Sequence, residues 1–226
     1  MKNLAIIMSG GTGSRMNAGI PKQFMKTGEK SLLEISLSKF QEHSGIDVIF
    51  IVSHADQVRR TKELVDNKNF SKVEKIIAGG DTRQRSVSIG VNTSEEDHEN
   101  ILIHDSARPF VSTEIIDRVL LTLKNSDAVT PVIDSPDTLV SINSDGFLNK
   151  YLDRESIKRV QTPQGFKRNI IVDAHYRAEK DPDRVFTDDC SMIIHYGLSD
   201  VKLVEGDPEN TKITYREDIE RFNLKK

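Results

Sequence analysis

The chain contains 226 residues, of which 32 are Lys or Arg and 35 are Asp or Glu, so its formal net charge at pH 7 is −3. This balance argues against a dedicated DNA-binding protein, because such proteins rely on a surplus of basic residues that contact phosphates. The single cysteine, Cys190, excludes an internal disulfide, and no apolar run approaches the ~20 residues that span a bilayer. These properties predict a cytoplasmic α/β protein that binds neither nucleic acid nor membranes.

Short apolar segments alternate with amphipathic segments along the first half of the chain. Strands are predicted at 4–8, 48–52, 75–78, 101–104 and 128–132, and helices at 31–43, 57–66, 83–92 and 112–124. The first helix begins with the capping-box pattern Ser31-Leu32-Leu33-Glu34, and Ser112 is the predicted N-cap of the last. Because the strands are almost entirely apolar and helices separate them, the pattern indicates a mainly parallel sheet with helices on both faces.

The pattern changes near residues 137–159. Residues 138–142 and 147–151 flank the turn sequence Asn143-Ser144-Asp145-Gly146, which predicts a β-hairpin. A hairpin inserted in a parallel-sheet domain often projects outward, so this one is a candidate dimerisation arm. Helices at 170–178, 190–195 and 218–222 and a strand at 201–204 complete the chain. We therefore expect a single domain over 1–226 with one protruding β-arm.

A glycine-rich segment, Gly10-Gly11-Thr12-Gly13-Ser14-Arg15-Met16, follows the first strand. Glycines allow backbone N–H groups to approach phosphates closely. The segment is not a P-loop, which ends in Gly-Lys-Ser/Thr, and not a dinucleotide fingerprint, since Met16 stands where the third glycine would be. Its Arg15, together with Lys22, suits stabilisation of charge during attack at phosphorus. A structural turn with two solvated basic side chains is the alternative.

Two later strands also end in polar segments. In the segment 79–87, Asp81 or Ser86 would hydrogen-bond a base or ribose; alternatively, Asp81 caps the following helix. Asp105 directly follows an apolar strand, at the edge of the sheet where ligands bind in open α/β folds. It would hold Mg²⁺ or sugar hydroxyls, and the alternative is an ion pair with Arg108 that braces the turn.

Three further segments carry polar side chains. The run Gln161-Thr162-Pro163-Gln164 lies between apolar positions, as expected for residues that line a pocket. For Thr187 the alternative to ligand binding is a helix N-cap, and for Lys212 it is a solvated lysine at a strand edge. His104 is interpreted as a hydrogen-bonded core residue. The sequence contains no Ser-His-Asp order, HExxH motif or cysteine cluster, so a nucleophilic triad and structural zinc are not supported.

In order and spacing, these six segments resemble the polyol-phosphate cytidylyltransferases, most closely the branch that acts on 2-C-methyl-D-erythritol 4-phosphate. The resemblance covers essentially the whole chain. It implies a Rossmann-like nucleotidyltransferase fold, transfer of CMP from CTP with release of pyrophosphate, a Mg²⁺ cofactor, and a homodimer joined by an exchanged arm. Ser9-Gly10 and Ser106 depart from many erythritol-phosphate enzymes, and Gly-Gly-Thr-Gly also occurs in the ribitol 5-phosphate branch of teichoic acid and capsule synthesis, which is the alternative.

The resemblance also implies a role for each segment. The nucleotide would be bound by Gly10, Gly11, Thr12, Gly13, Gly80, Asp81 and Ser86. The charge on the phosphates would be stabilised by Arg15, Lys22 and Lys212. The polyol phosphate would be bound by Asp105, Thr138, Arg154, Thr162 and Thr187. Of these, Thr138 and Arg154 would come from the partner's arm, and Asp105 is also the candidate Mg²⁺ ligand.

Two other classes of protein with a similar fold are less consistent with the sequence. A glycosyltransferase would carry Asp-x-Asp after a mid-chain strand, whereas Asp105 is followed by Ser106-Ala107. A nucleotide-sensing module without catalysis would be expected to lose Arg15, Lys22 or Lys212, and all three are present.

Overall fold

The computed structural model describes residues 1–11, 20–215 and 217–220. The strands are β1 (Lys2–Ser9), β2 (Lys26–Thr27), β3 (Lys30–Ser31), β4 (Val48–Ser53), β5 (Val73–Ala78), β6 (His98–Asp105), β7 (Ala128–Asp134), β8 (Val140–Ile142), β9 (Leu148–Tyr151), β10 (Lys158–Val160), β11 (Gln164–Lys167) and β12 (Val201–Glu205). The helices are α1 (Leu32–Glu42), α2 (Val58–Asn67), α3 (Arg83–Asn92), α4 (Thr113–Thr122), α5 (Arg168–Glu179) and α6 (Asp189–His195). The predicted strands and the helices up to residue 195 are confirmed, with bounds shifted by a few residues. Of the helix predicted at 218–222, residues 221 and 222 lie outside the described part of the chain.

An eight-stranded sheet forms the centre of the molecule, in the order β10-β7-β11-β6-β1-β4-β5, with β12 also paired to β7. The pairs β1–β4, β1–β6, β4–β5 and β7–β12 are parallel, which confirms a mainly parallel sheet. β11 is antiparallel to both β6 and β7, and β10 is antiparallel to β7. The sequence analysis missed β10 and β11 because both are short and carry polar residues, so neither shows the apolar run of the other strands.

Helices cover both faces of this sheet, as predicted for an α/β fold of this kind. Successive residues of a strand point to opposite faces. Thus Ile6 packs in a layer that includes residues of α3, α5 and α6, whereas Ile7 packs in a layer that includes residues of α1, α2 and α4. Both side chains are fully buried. Because the central strands bury both faces, their positions are fixed from two sides, and the loops at their ends are held on a rigid support.

Helix capping agrees with the sequence at α1. The Ser31 hydroxyl accepts a hydrogen bond from the Glu34 N–H at 3.2 Å, and the Glu34 carboxylate accepts one from the Ser31 N–H at 3.4 Å, so the predicted capping box is present.

At two further helices the cap named in the alternative interpretation is wrong, whereas Ser112 is confirmed as the N-cap residue of α4. Thr82, rather than Asp81, caps α3, since the helix begins at Arg83 and the Thr82 hydroxyl accepts the Arg85 N–H at 3.0 Å. Asp188, rather than Thr187, caps α6, since that helix begins at Asp189. Ser112 occupies the N-cap position of α4, but its side chain makes no capping hydrogen bond.

The predicted hairpin is confirmed by the antiparallel pairing of β8 with β9. In the turn, the Asn143 carboxamide oxygen accepts hydrogen bonds from the Asp145 and Phe147 N–H groups, and Gly146 takes the positive φ of 84° that favours glycine. The hairpin carries several large apolar side chains that are exposed: Val140, Ile142, Phe147, Leu148 and Tyr151.

Among the described helices, none has the length and apolar character needed to span a bilayer.

Candidate active site

A cavity of about 670 Å³ lies at the carboxyl edge of the sheet. It is bordered by the segments that follow β1, β4, β5 and β6 and by the segment beyond β12, because the loops of parallel strands converge at this edge. Its lining includes eight residues that the sequence analysis selected: Gly10, Gly11, Lys22, Gly80, Asp81, Ser86, Asp105 and Lys212. The predicted Thr12, Gly13 and Arg15 lie outside the described residues. The tertiary structure therefore brings four of the six sequence segments to one site.

Two glycine pairs line this cavity, Gly10-Gly11 and Gly79-Gly80, and they differ in their surroundings. Among the described residues, no heavy atom would lie within 4 Å of a Cβ atom added to Gly10 or Gly11, so none of them blocks the approach of a ligand to this backbone. A Cβ atom on Gly80 would lie 2.4 Å from Arg85 Cγ, so the second pair packs against α3. Ser86 stabilises that turn, since its hydroxyl accepts from the Gly80 N–H at 3.1 Å and donates to the Thr82 carbonyl at 2.8 Å. Contact of Ser86 with a base or ribose stays a prediction.

Lys22 reaches across the cavity from a short 3₁₀ turn, Lys22–Phe24. The adjacent Gln23 is buried, and its side-chain amide donates to the Ser9 carbonyl at the end of β1 at 2.9 Å. The Lys22 ammonium donates to the Ile213 carbonyl at 2.8 Å, next to Lys212 in the chain. These contacts bring two of the predicted cations to the same region.

Asp105 lies between two cations at the end of β6. Lys212 Nζ is 2.6 Å from Asp105 Oδ2, and Arg83 Nε is 3.5 Å from Asp105 Oδ1. Burial alone would raise the pKa of Asp105, but the charges of Arg83 and Lys212 outweigh it and hold the pKa below its usual range. The site therefore keeps an ionised carboxylate at neutral pH.

The segment that carries Lys212 is fastened by buried polar side chains. Gln161 donates to the Asp207 carbonyl at 2.7 Å, and Asn210 donates to the Thr162 carbonyl at 2.9 Å. Arg108 donates to the Asn210 carbonyl at 2.8 Å and forms no ion pair with Asp105, so that predicted pair is wrong. The prediction that residues 161–164 line a pocket is also wrong for this cavity, since all four are buried and Gln161 and Asn210 connect two loops.

His104 is a core residue, as predicted. Its Nε2 donates to the Arg108 carbonyl at 3.1 Å, and its Nδ1 accepts from the Thr162 hydroxyl at 3.0 Å. Burial lowers the pKa of His104 from 6.5 to about 4, so the ring is neutral. The Thr162 hydroxyl in turn accepts a hydrogen bond from the backbone N–H of Asp105 at 3.2 Å. Direct contact of Thr162 with a substrate stays a prediction.

Sequence reasoning missed a row of charges next to Asp105. The other side of the Arg83 guanidinium binds Asp189, with Nη2 3.0 Å from Oδ2, and His175 Nε2 lies 3.3 Å from Asp189 Oδ1. Arg83 lines the cavity, whereas Asp189 and His175 do not. No local signal marks this pairing, because Arg83 and Asp189 are 106 residues apart in the chain.

Three predicted substrate-binding residues lie away from this cavity. Arg154 donates to the Thr138 hydroxyl at 3.3 Å, so these two predicted residues meet at the base of the hairpin, where both are exposed. Thr187 is also exposed, directly before α6. None of the three lines the cavity among the described residues, and their roles stay predictions.

The oxygen donors of the site fit Mg²⁺ shared with a phosphate ligand. Within the described ranges, no cluster of three or more His, Cys, Asp or Glu side chains is arranged to hold a metal. Mg²⁺ is commonly bound by one or two carboxylates together with substrate phosphates, and does not need an all-protein cage. Asp81 and the ionised Asp105 are the carboxylates of the cavity lining, which suits that mode of binding.

Comparison with known proteins gives a consistent result. The family model described as 2-C-methyl-D-erythritol 4-phosphate cytidylyltransferase matches residues 3–224. The chain is 40% identical to the protein of that name from Clostridium botulinum strain Okra, over 96% of this chain and 94% of the relative. A crystal structure of 4-diphosphocytidyl-2C-methyl-D-erythritol synthase from Anaerococcus prevotii superimposes with a TM-score of 0.87 at 26% identity, covering 99% and 96% of the two chains. A bifunctional ribulose 5-phosphate reductase/CDP-ribitol pyrophosphorylase from Haemophilus influenzae is 38% identical over 96% of this chain and 47% of that protein.

Proposed function

The chain belongs to the 2-C-methyl-D-erythritol 4-phosphate cytidylyltransferase family, and we infer that it transfers CMP from CTP to this polyol phosphate with release of pyrophosphate. It is a nucleotidyltransferase of non-mevalonate isoprenoid precursor synthesis. The observation that carries the inference is the cavity at the carboxyl edge of the sheet. It combines open glycine backbone, the cations Lys22 and Lys212, and the ionised Asp105.

The reaction needs no covalent enzyme intermediate. The substrate phosphate is itself an anionic nucleophile, so the protein has to align it with the α-phosphate and to offset the repulsion between two anions. Lys22 and Lys212, on opposite segments of the cavity, supply positive charge for this purpose. Arg15, from the glycine-rich segment, would add a third cation. Asp105 would accept hydrogen bonds from the substrate hydroxyls.

Nucleotide binding follows from the glycine-rich segment and the β5–α3 turn. The backbone of Gly10 and Gly11 is not covered by any other described residue, and with Thr12 and Gly13 it would bind the triphosphate. Gly80, Asp81 and Ser86 line the same cavity and would contact the cytosine and ribose. Asp105 would hold a Mg²⁺ ion jointly with the phosphates. When bound, the ion would neutralise negative charge on the phosphate oxygens.

The whole chain, 1–226, would act as one cytoplasmic cytidylyltransferase domain, with the hairpin at about 137–159 joining two copies into a homodimer. Two observations support this assembly. The hairpin exposes Ile142, Phe147 and Tyr151, whose apolar side chains would be buried against a second copy. In addition, Thr138 and Arg154 lie together on the arm but away from this chain's own cavity, as expected if they serve the partner's site.

The test is pyrophosphate release by the full chain with CTP and Mg²⁺. We expect release with 2-C-methyl-D-erythritol 4-phosphate. Ribitol 5-phosphate is the second candidate substrate, because the more distant Haemophilus relative is described as a CDP-ribitol pyrophosphorylase. Release with ribitol 5-phosphate alone would overturn the choice of substrate. If CTP binds but no pyrophosphate is released in the presence of either polyol phosphate, the assignment as a cytidylyltransferase would be overturned.

A further inference from the structure

Five polar side chains form a continuous row from the cavity into the core: Lys212, Asp105, Arg83, Asp189 and His175. We propose that Arg83, anchored by the buried Asp189, is a positioning residue that holds the Asp105 carboxylate in its working orientation. This inference rests on the proposed function of the Asp105 site and extends it by two residues.

The anchor is the most buried charge of the row. The Asp189 side chain is 1% exposed, and it projects from the first residue of α6. A buried carboxylate is stable only when it is paired and hydrogen-bonded. Burial opposes ionisation of Asp189, but the charge of Arg83 and contact with His175 outweigh it, so the pKa of Asp189 is lowered. The buried Asp189 carboxylate therefore holds the Arg83 guanidinium in place, because it would be left without its cationic partner if the guanidinium moved away.

The same guanidinium also fixes Asp105. Each oxygen of the Asp105 carboxylate faces a different cation, with Lys212 at Oδ2 and Arg83 at Oδ1. The Lys212 side chain is 43% exposed, and its proposed role is to contact a substrate phosphate. Since a phosphate would draw Lys212 away, one restraint on Asp105 weakens when substrate binds. Arg83 keeps its contact because Asp189 holds its other end.

A second Arg–carboxylate pair that also starts from α3, but ends on α5 instead of α6, provides a control. Arg85 of α3 pairs with Glu179 of α5 at 2.6 Å, and both side chains are about half exposed. Neither of these residues lines the catalytic cavity. Loss of this pair removes an α3–α5 contact without any change at Asp105.

The experiment compares Asp189→Asn with Glu179→Gln in the full chain. The measurements are kcat and KM for CTP and for the polyol phosphate, from pyrophosphate release, together with the thermal midpoint of each variant. We expect Asp189→Asn to lower kcat by roughly 10–100-fold, the usual effect of removing a partner that orients a site ligand. The KM for CTP should change less than kcat, because neither Asp189 nor Arg83 is among the proposed nucleotide contacts. Glu179→Gln should keep the wild-type kcat.

A double variant separates positioning from a general loss of stability. If Asp189 acts through Arg83, the variant carrying Arg83→Gln and Asp189→Asn should have the kcat of Arg83→Gln alone. Wild-type kcat in Asp189→Asn, or losses that multiply in the double variant, would overturn the proposal. If Asp189→Asn does not fold, Arg83→Gln decides, since a wild-type kcat in that variant contradicts any positioning role. A wild-type protein that releases no pyrophosphate would instead overturn the proposed function.

Discussion

The neutral, buried His104 makes the stability of this protein depend on pH between about 4, its pKa in the folded protein, and 6.5, the pKa of an exposed histidine. Between these values the unfolded chain binds a proton that the folded chain excludes. Acidification from pH 7 to pH 5 should therefore lower the free energy of unfolding by about 2 kcal/mol from this residue.

Other groups contribute in ways that can be separated. The pKa of His98 is also lowered by burial, so it adds a loss of the same sign. Asp105 and Asp189 have lowered pKa values and stay ionised at both pH values. Their stabilisation is present above the ordinary carboxyl pKa and is lost only as the pH falls through their lower folded values. The difference between wild type and a His104 variant thus isolates the contribution of His104.

The assay is urea unfolding at pH 7 and pH 5 for wild type, His104→Gln and the control His195→Gln. His104→Gln should be less stable at pH 7, because it loses contacts with Thr162 and Arg108, but should lose about 2 kcal/mol less on acidification. His195→Gln, at an exposed position, controls for the replacement of a histidine by glutamine. An equal loss on acidification in wild type and His104→Gln would refute the reasoning.

Three further predictions concern catalysis, packing and assembly. Lys22→Ala should raise the barrier of the chemical step by about 3 kcal/mol, as for other lost electrostatic stabilisers, and an undiminished kcat would contradict its role. Gly165→Ala should destabilise the fold by about 1–3 kcal/mol in urea unfolding, because its Cβ would lie 2.5 Å from Val119 Cγ1; an unchanged midpoint would argue against this packing of α4 on β11. In sedimentation at micromolar concentration, wild type should be a dimer and Phe147→Asp a monomer; a monomeric wild type would exclude the exchanged arm.

Much of the fold could be predicted because its signals are local. The apolar run of β1 and the Ser31–Glu34 capping box each span only a few residues. A strand that is buried along its whole length can therefore be recognised from its own sequence, without knowledge of the strands beside it. The place of Asp105 at a strand end likewise follows from a single apolar segment. Strands β10 and β11 escaped prediction, since their pairing with β7 depends on the shape of the sheet and not on their own composition.

The sequence by itself determined the order of the apolar strands and of the helices between them, the hairpin, and the residue types available for phosphate chemistry. Only the tertiary structure decided which of these residues meet. Lys212 contacts Asp105 across 107 residues, and Arg83 contacts Asp189 across 106. The reason is physical, since such contacts arise when the sheet places strand ends from distant parts of the chain at one edge. For the same reason, Gln161 and Thr162 are support for the site loops, a role that depends on partners far along the chain.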